Sequence, residues 1–466
     1  MKYELYGYLH RIAKKILHRD NTISLYRMIN VQNKNIDKEG KIILKEKEGT
    51  YINDMPSISK NLNVSDVFPV ENIVPSKAFL SFEDSFKKSR KCKKSQLGVT
   101  ESQAVGLWME FIKASKIPNR YRNGDLHYAG YILDCEEWCL PSWVWTNAAI
   151  VKMYCRLNMT DKAKIIVDKL IEVQEECGGW IVRNDYNKKG AIPVLAPNDS
   201  AYVANNACLE FYLLTGNKMY LDAAIKCADW IIDTAREDGM VYVGYDIKSG
   251  NWQKNHNIVD VGFTAGLFAR LFECTKEHKY YQFLDKFTNK FVELFYIPSS
   301  NGFATSLDSN DKPYGGMFGR GQAWALEGLI PACQVLKDEK LVEIVQNTIN
   351  NLIAAQDKEG GWAYNLARPL MGIDCKATSV IACSLMNWYV DHSEQRNLKS
   401  AAEKAYKWCI KHTLPEGRGR GGIYSYTTEG AIVHHLYTWT AFVYGSSYAI
   451  ELQKIISEEN LHALYK

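Results

Sequence analysis

From about residue 97 onward, the apolar positions of the chain recur at helical spacing. In "LVEIVQNTINNLIAAQ" (residues 341–356) they outline one face of a helix, formed by Val342, Ile344, Val345, Ile349, Leu352 and Ile353. Segments of this kind alternate with others that are apolar on nearly all sides, such as "DVGFTAGLFARLFEC" (residues 260–274). A helix with one apolar face lies on a core, and a helix that is apolar all round lies inside it. The pattern therefore predicts alternating outer and inner helices.

The alternation has a period of about sixty residues. Glycine-containing turns recur at Gly179, Gly239, Gly302, Gly361 and Gly422, with steps of 60, 63, 59 and 61 residues. Each turn follows an outer helix and leads through a loop to an inner one. Five such pairs fit between residues 137 and 413, with one helix before them (100–115) and one after them (431–453). Twelve helices that close on themselves leave no exposed repeat end. We therefore predict an all-α fold for residues 96–466, an (α/α)6 toroid of six helical hairpins.

Residues 1–95 have a different character. They are polar and rich in Asn and Lys, and they end in the basic run "KKSRKCKKSQ" (87–96). We predict a small N-terminal extension of mixed or irregular structure. Near its start, Leu5, Leu9, Ile12 and Ile16 lie at helical spacing among basic residues. This helix could pack on the main domain, which we favour, or make a peripheral contact with an acidic membrane surface.

Composition narrows the class of protein. A net charge of +4 over 466 residues argues against nucleic acid as a partner. The 12 cysteines are scattered and form no CxxC pair, which is typical of small buried side chains in a reducing compartment. We expect no metal site and no cofactor. Neither a secretory signal nor a membrane-spanning segment is predicted, so we expect a cytoplasmic protein.

Candidate chemistry lies where the inner helices begin. In a helical toroid these starts surround one mouth of the ring, and Asp199, Asp260, Arg320 and Asp374 stand at or near successive starts. Aspartate is a common helix N-cap, and paired carboxylates in a pocket also perform acid–base chemistry. We favour chemistry for Asp199 and Asp260, and capping for Asp374. A cation at a helix N-terminus opposes the helix dipole, so Arg320 needs another reason, such as binding a carboxylate.

The segment "RGQAW" (320–324), the two aspartates one repeat apart and the toroid pattern resemble the unsaturated glucuronyl hydrolase family over residues 128–448. Members remove a 4,5-unsaturated uronic acid from the end of oligosaccharides. The resemblance implies an oligosaccharide substrate and hydration of the double bond, with Asp260 as the acid/base and Asp199 as its partner. It also implies a set of substrate-binding residues: Arg320, Gln322, Trp324, Trp138, Trp143 and Asn198.

Three features depart from the family pattern. The family's aspartate-containing segment before the last inner helix is only loosely echoed by "GIDCKATS" (372–379). Asn198 stands where the family usually has a histidine before its first aspartate, and "NGFATSLDSN" (301–310) contains no histidine where the family has one. Trp138 and Trp143 belong to "EEWCLPSWVW" (136–145), which resembles the aromatic first inner helix of the family.

Two alternatives remain open. A polysaccharide lyase on the same ring would use Tyr and His, which the segment 423–439 supplies as Tyr424, Tyr426, His434, His435 and Tyr437. We favour core and rim positions for these residues. A non-catalytic protein of surface-polysaccharide assembly would account for the basic N-terminus and the replaced histidines. A lyase creates the ultraviolet absorbance of an unsaturated uronate, whereas a hydrolase of the family removes it.

Overall fold

The computed structural model describes residues 97–117, 124–132, 137–139, 142–184, 194–247, 249–254, 256–367, 373–425 and 440–458. The predicted N-terminal extension, with its possible membrane-contacting helix, lies outside these residues. Within the described part, no helix combines the length and the apolar character that crossing a membrane requires.

Helices make up most of the described chain. In chain order they are α1 (Glu101–Ala114), α2 (Val144–Arg156), α3 (Thr160–Glu172), α4 (Pro197–Val203), α5 (Glu210–Thr215), α6 (Lys218–Thr234), α7 (Phe263–Thr275), α8 (His278–Phe295), α9 (Gly319–Leu336), α10 (Glu339–Ala354), α11 (Cys375–Tyr389), α12 (Arg396–Lys411) and α13 (Val443–Ser457). A π-helical stretch, Ala204–Leu209, joins α4 and α5 into one continuous helix.

The inner helices form a closed ring. Helix α2 packs on α4, α4 on α7, α7 on α9, α9 on α11, α11 on α13, and α13 on α2. Each inner helix also packs on an amphipathic outer helix, and the last inner helix, α13, pairs with the first outer helix, α1. The core side chains are contiguous through the ring, because the inner helices are buried on nearly every face. The predicted (α/α)6 toroid is confirmed.

Short strands lie at one end of the ring. They are β1 (Gly130–Ile132), β2 (Glu137–Cys139), β3 (Ser142–Trp143), β4 (Arg183–Asn184), β5 (Val194–Leu195), β6 (Tyr245–Asp246), β7 (Asn251–Trp252), β8 (His256–Ile258), β9 (Tyr296–Ile297), β10 (Gly302–Phe303), β11 (Ser306–Asp308), β12 (Pro313–Tyr314), β13 (Tyr424–Ser425) and β14 (Thr440–Phe442). They pair antiparallel in the orders β13-β14-β1-β2, β10-β9, β12-β11-β8, β3-β4 and β5-β6-β7. Every described strand lies between an outer helix and the next inner one, so the sheets surround the mouth at which the inner helices begin.

The glycine turns that follow two of the outer helices, α3 and α10, have the same construction. The side chains of Gln174 and Gln356 each donate to the carbonyl of a turn glycine, Gly178 or Gly360, and to a carbonyl of the next outer helix. Both glycines have φ near +105°, and a Cβ at either would collide with the backbone of the next outer helix. Only glycine fits such a position. At these two turns, glycine is therefore required by the contact between successive hairpins.

Two helix starts differ from the sequence prediction. The last inner helix begins at Val443, whereas the sequence pattern placed its start near residue 431, among residues that the structure does not describe. In the segment 136–145, Trp138 lies in β2 and Trp143 in β3, and the helix α2 begins only at Val144. Ser142 and Trp143 pair instead with Asn184 and Arg183 of β4, which keeps them extended.

Candidate functional site

The starts of four inner helices bring ionisable side chains to the mouth of the ring. Asp199 lies in the first turn of α4, and Asp260 lies in a 3-10 turn, Val259–Gly262, that leads into α7. Arg320 is the second residue of α9 and Lys376 the second residue of α11. Because the inner helices are neighbours in one ring and run in the same direction, these positions face the same end.

Asp199 and Asp260 interact electrostatically. Asp199 is 7% exposed, and Asn198 Nδ2 donates a hydrogen bond to Asp199 Oδ1 at 3.0 Å. Burial raises the pKa of Asp199 well above its ordinary value, and the negative charge of Asp260 raises it further. Asp260 itself is only partly buried. Asp199 therefore holds its proton at a pH at which an exposed aspartate is ionised.

The turn that carries Asp260 is fixed from two sides. The Val259 backbone N–H donates to the Thr305 carbonyl at 3.0 Å, which extends the pairing of β8 with β11. On the other side, Gly262 packs against Gly328 of α9. A Cβ added at Gly328 would lie less than 3.0 Å from the Gly262 carbonyl oxygen, which is closer than real Cβ atoms come to other atoms. This close approach of two backbones places the helix of the "RGQAW" segment directly beside the turn of Asp260.

Arg320 lies among aromatic rings. The side chain is 2% exposed. Its guanidinium carbon lies 4.4 Å from the ring centroid of Phe318, 5.0 Å from that of Trp324 and 5.4 Å from that of Tyr364. Aromatic faces attract a guanidinium group, and the attraction is larger when water is excluded. The rings thus hold the cation at the mouth of the ring of helices. Its predicted contact with a substrate carboxylate stays a prediction.

Three tryptophans form an aromatic wall, which we define as Trp143, Trp145 and Trp324. The ring centroids of Trp143 and Trp145 are 4.8 Å apart, and those of Trp145 and Trp324 are 6.0 Å apart. Trp324 Nε1 donates to the Tyr444 hydroxyl at 2.9 Å. Trp143 and Trp324 were predicted from the sequence, whereas Trp145 was missed. Its signal was its place, two residues after Trp143 at the start of an inner helix.

Gln322 is engaged by the backbone. Its Oε1 accepts from the Phe303 N–H at 2.7 Å, and its Nε2 donates to the carbonyls of Phe303 at 2.8 Å and Phe318 at 3.2 Å. These bonds commit both ends of the amide to strand β10 and to the start of α9. We therefore interpret Gln322 as a residue that fixes the geometry of the mouth, in place of the predicted contact with sugar.

Trp138 is likewise not part of the aromatic wall. It lies in β2 and is half-buried, and its ring packs on Phe111, Tyr128 and Tyr131 at centroid distances of 5.3, 5.8 and 5.2 Å. Phe111 belongs to the outer helix α1. These contacts place Trp138 toward the periphery of the ring, so a role as pocket wall is not supported.

Lys376 is a site residue that the sequence analysis missed. It is fully buried, and its Nζ lies 4.2 Å from the ring centroid of Phe442, 5.6 Å from that of Trp145 and 5.9 Å from that of Trp143. Asp374 caps the same helix, because its side chain accepts from the Lys376 backbone N–H at 3.0 Å. This matches the predicted capping role. The missed signal was a cation in the first turn of an inner helix, the same anomaly that singled out Arg320.

Three of the described histidines pack within the fold, and a fourth lies close to Asp260 in the sequence. His127 bonds Ser115 and the Ile112 carbonyl, and His392 and His412 each stack on a tryptophan. His256 lies in β8, four residues before Asp260, and burial lowers its pKa to about 4, so it is neutral at pH 7. Among the described residues, no group of three or more His, Cys, Asp or Glu side chains is arranged to hold a metal ion.

A column of hydroxyl groups supports the aromatic wall from below. The Tyr444 hydroxyl, which accepts from Trp324, lies 3.4 Å from the Tyr202 hydroxyl, which is 2.6 Å from the Tyr448 hydroxyl. Tyr448 donates in turn to Glu327, a carboxyl whose pKa burial raises. A buried hydrogen-bonded chain of this kind has few alternative arrangements. It therefore fixes the orientation of Trp324.

Below the hydroxyl column lies a buried ion network. Lys152 Nζ is 3.4 Å from Glu327 and 3.4 Å from Glu451, and Arg156 Nη1 is 2.5 Å from Glu451. The network ends at a cavity of about 160 Å³ among the last turns of the inner helices, at the opposite end of the ring. Among the described residues, buried polar groups thus extend from the aromatic wall to this cavity.

Comparisons with known proteins agree with this architecture. The unsaturated glucuronyl hydrolase from Bacillus sp. GL1 superimposes with a TM-score of 0.60 at 15% identity, over 77% of this chain and 97% of that protein. An unsaturated glucuronyl hydrolase specific for heparin gives 0.60 at 15% identity, over 80% and 97%. Cellobiose 2-epimerase from Bacillus thermoamylovorans gives 0.60 at 12% identity, over 79% and 98%. At these identities the likeness establishes the fold alone.

No curated protein sequence matches the chain. The sequence profile described as Glycosyl Hydrolase Family 88 matches residues 136–449, which is more than half of the 466 residues. The matched region contains five of the six inner helices from their first residue to their last, together with both aspartates and the "RGQAW" segment. The chain belongs to glycosyl hydrolase family 88.

Proposed function

We propose that this glycoside hydrolase removes a terminal 4,5-unsaturated uronate from oligosaccharides by hydrating its double bond. The observation that carries the proposal is the buried Asp199 carboxyl beside Asp260, at the mouth of a family 88 ring. Two solved structures with the same fold are unsaturated glucuronyl hydrolases. The sequence resemblance given above points to the same reaction.

The environment of the two aspartates favours a different division of roles from the one that the resemblance implied. The resemblance gave the acid/base role to Asp260. A general acid must hold a proton at the working pH, and burial gives this property to Asp199. Asp260 is the more exposed of the two. As an ionised neighbour it would keep the Asp199 proton in place and would stabilise positive charge that develops on the sugar.

The proposed reaction proceeds in two stages. Asp199 donates its proton to C4 of the unsaturated uronate, and a water oxygen bonds to C5 while a water proton returns to the Asp199 carboxylate. The double bond is thereby replaced by a C4–H bond and a C5–OH bond. The resulting hemiketal opens, and the remaining sugar leaves from C1 with a hydrogen. Asp199 ends the cycle protonated, so one carboxyl group serves as acid and then as base.

Other side chains of the mouth fit the binding of such a substrate. Asn198 donates to Asp199 Oδ1, which leaves the other carboxyl oxygen to carry the proton. Arg320 offers a planar cation to the uronate carboxylate. The aromatic wall is suited to packing against the face of a sugar ring. Each of these contacts is part of the proposal.

The test is the loss of ultraviolet absorbance from a panel of unsaturated disaccharides that differ in the uronate and in the linkage. We expect activity on at least one of them. Asp199→Asn keeps the shape of the side chain but cannot carry the proton, so turnover should fall by about 10²–10⁴-fold. Asp161→Asn is the matched control, because Asp161 is an exposed aspartate in the first turn of the outer helix α3. It should leave turnover unchanged.

Other outcomes of the same assay would point elsewhere. Full activity in Asp199→Asn would rule out the proposed role of Asp199. An increase in absorbance from intact polysaccharide would favour the lyase alternative. Of its candidate residues Tyr424 is buried in β13, and the other four lie outside the described part of the chain. Inactivity on every unsaturated uronate would favour the non-catalytic alternative.

A further inference from the structure

The cavity at the end of the ring opposite the aspartates is lined by two irregular helical turns. It has a volume of about 160 Å³ and lies among α2, α7, α9, α11 and the π-helical stretch Ala204–Leu209. Such π-helical turns are rare and are frequent at functional sites. In α9, Pro331 has no backbone N–H, so the regular helical hydrogen bond to the Glu327 carbonyl is not made. Both irregular turns face the cavity, because Asn205, Asn206, Glu327 and Pro331 all line it.

Asn206 is a buried amide without a hydrogen bond. It is 6% exposed and lines the cavity, and among the described residues its side chain has no hydrogen-bond partner. Asn147, a buried asparagine of α2, shows the ordinary arrangement, because its amide donates to the Ser142 hydroxyl and accepts from the His127 N–H. Buried polar groups are nearly always paired. The Asn206 amide, which can both donate and accept, is therefore available to a molecule in the cavity.

The charged groups around the cavity are already paired with one another. Three cations of the lining contact three carboxylates: Lys152, Arg156 and Arg270 contact Glu210, Glu327 and Glu451. A further lining carboxylate, Glu273, is exposed to water. A charged ligand in the cavity would lose its hydration without gaining a buried counter-charge that is still unpaired, which is unfavourable. The lining therefore favours an uncharged ligand.

We infer that this cavity is a binding site separate from the mouth of the ring, and that it takes an uncharged monosaccharide. A water takes about 30 Å³ of liquid volume, so the cavity has room for about five waters or for one small sugar. Every sugar hydroxyl can donate and accept, which matches the Asn206 amide. The inference goes beyond the proposed function and does not depend on it.

Other residues of the lining suit the same ligand. Gln334 Nε2 donates to Asp391 at 2.8 Å, which leaves Gln334 Oε1 to accept from a hydroxyl at the rim of the cavity. Ile330, Pro331 and Val390 add apolar surface. The C–H groups of a sugar ring can pack on such surface while its hydroxyls bond the amides.

The test is isothermal titration calorimetry with three uncharged hexoses: glucose, galactose and mannose. We expect at least one of them to bind the wild type with a Kd of about 1–10 mM, which is typical of a small ligand held by a few hydrogen bonds. The uronate and the hexosamine derived from that hexose are the matched charged probes. At the cavity they should bind at least about 10-fold more weakly than the hexose.

Variants assign the binding to the cavity. Asn206→Leu keeps the approximate size of the side chain but removes the amide, so the Kd should rise by about 10-fold or more. Asn198→Leu is the matched control, because it makes the same substitution at the mouth and should leave the Kd unchanged. Gln334→Leu removes the acceptor at the rim from an exposed position, and it should raise the Kd by about 3–10-fold. Only binding that Asn206→Leu or Gln334→Leu weakens is assigned to the cavity.

Each result supports or overturns the inference. Absence of millimolar binding by all three hexoses would overturn it. Binding that Asn198→Leu weakens and Asn206→Leu leaves intact would place the sugar at the mouth and would also overturn it. A uronate or a hexosamine that binds the cavity more tightly than its hexose would contradict the uncharged class. Should Asn206→Leu not fold, Gln334→Leu decides, because unchanged binding in that variant counts against the site. None of these titrations measures turnover, so the proposed function is tested separately.

Discussion

The contact between Gly328 and Gly262 provides a sensitive test of how the site is held. Gly328 lies inside α9, and an added Cβ would come within 3.0 Å of the Gly262 carbonyl oxygen, in the turn that carries Asp260. The obstructing atom belongs to the backbone, so no side chain can rotate away. The substitution Gly328→Ala must therefore push the turn of Asp260 and the helix of Arg320 apart.

The size of the effect follows from two opposing contributions. Alanine in place of glycine inside a helix stabilises by roughly 1 kcal/mol. Overpacking typically costs about 1–3 kcal/mol, and a collision with backbone belongs to the upper part of that range. We expect a net loss of roughly 1–2 kcal/mol for Gly328→Ala. A misplacement on the order of 1 Å at a reacting group can cost about 10²-fold in rate, so activity should fall by up to that factor.

The matched control is Gly106→Ala. Gly106 also lies inside a helix, α1, but it is exposed and an added Cβ there has nothing within 4 Å. It should gain roughly 0.5–1 kcal/mol and keep full activity. Urea unfolding gives the two stabilities, and the ultraviolet assay gives the two rates. If Gly328→Ala were as stable and as active as Gly106→Ala, the close packing of α9 on the Asp260 turn would not be what positions the site.

Three further predictions follow from buried groups. The raised pKa of Asp199 means that the folded state holds a proton that the unfolded state releases, so wild-type stability falls as the pH rises from about 4 to the folded-state pKa. Asp199→Asn lacks this loss. Unfolding at several pH values should therefore find that the stability of the variant relative to wild type increases by about 1.4 kcal/mol per pH unit within that window. Arg156→Met leaves Glu451, which is 1% exposed, without its 2.5 Å partner, and calorimetry or urea unfolding should detect a loss of about 3–5 kcal/mol. Tyr444→Phe leaves the buried Trp324 N–H without its acceptor, which should destabilise by about 1–3 kcal/mol and change the tryptophan fluorescence.

The ring could be predicted from the sequence because its signal is repeated. Two kinds of helix alternate with a period of about sixty residues, and each repeat supports the assignment of the others. The helix starts that bear Asp199, Asp260 and Arg320 could be located for the same reason, since a position in one repeat predicts its equivalents. Asp374 as a cap follows from local chemistry, because an aspartate before a helix is a common cap.

The remaining features of the site depend on contacts between distant segments. The pairing of Gln322 with the backbone of strand β10 requires a loop to return beside the helix, and no periodic pattern encodes that return. Trp138 could not be distinguished from Trp143 as a wall residue, because each lies in a short strand and the partners of such strands come from distant segments of the chain. The protonation of Asp199 follows from burial, which is a property of the whole ring. Lys376 carried a signal, a cation in the first turn of an inner helix, but the sequence analysis applied that argument to Arg320 alone.

The pH dependence of kcat/KM in wild type and in Asp260→Asn tests most directly whether Asp199 is the general acid. The rate requires Asp199 to be protonated, so it should fall as pH rises through the pKa of that carboxyl. Asp260→Asn removes the neighbouring negative charge, lowers the pKa of Asp199 and should move this basic limb to lower pH, at a reduced maximal rate. A basic limb that stays in place or moves to higher pH would contradict the assignment of the proton to Asp199.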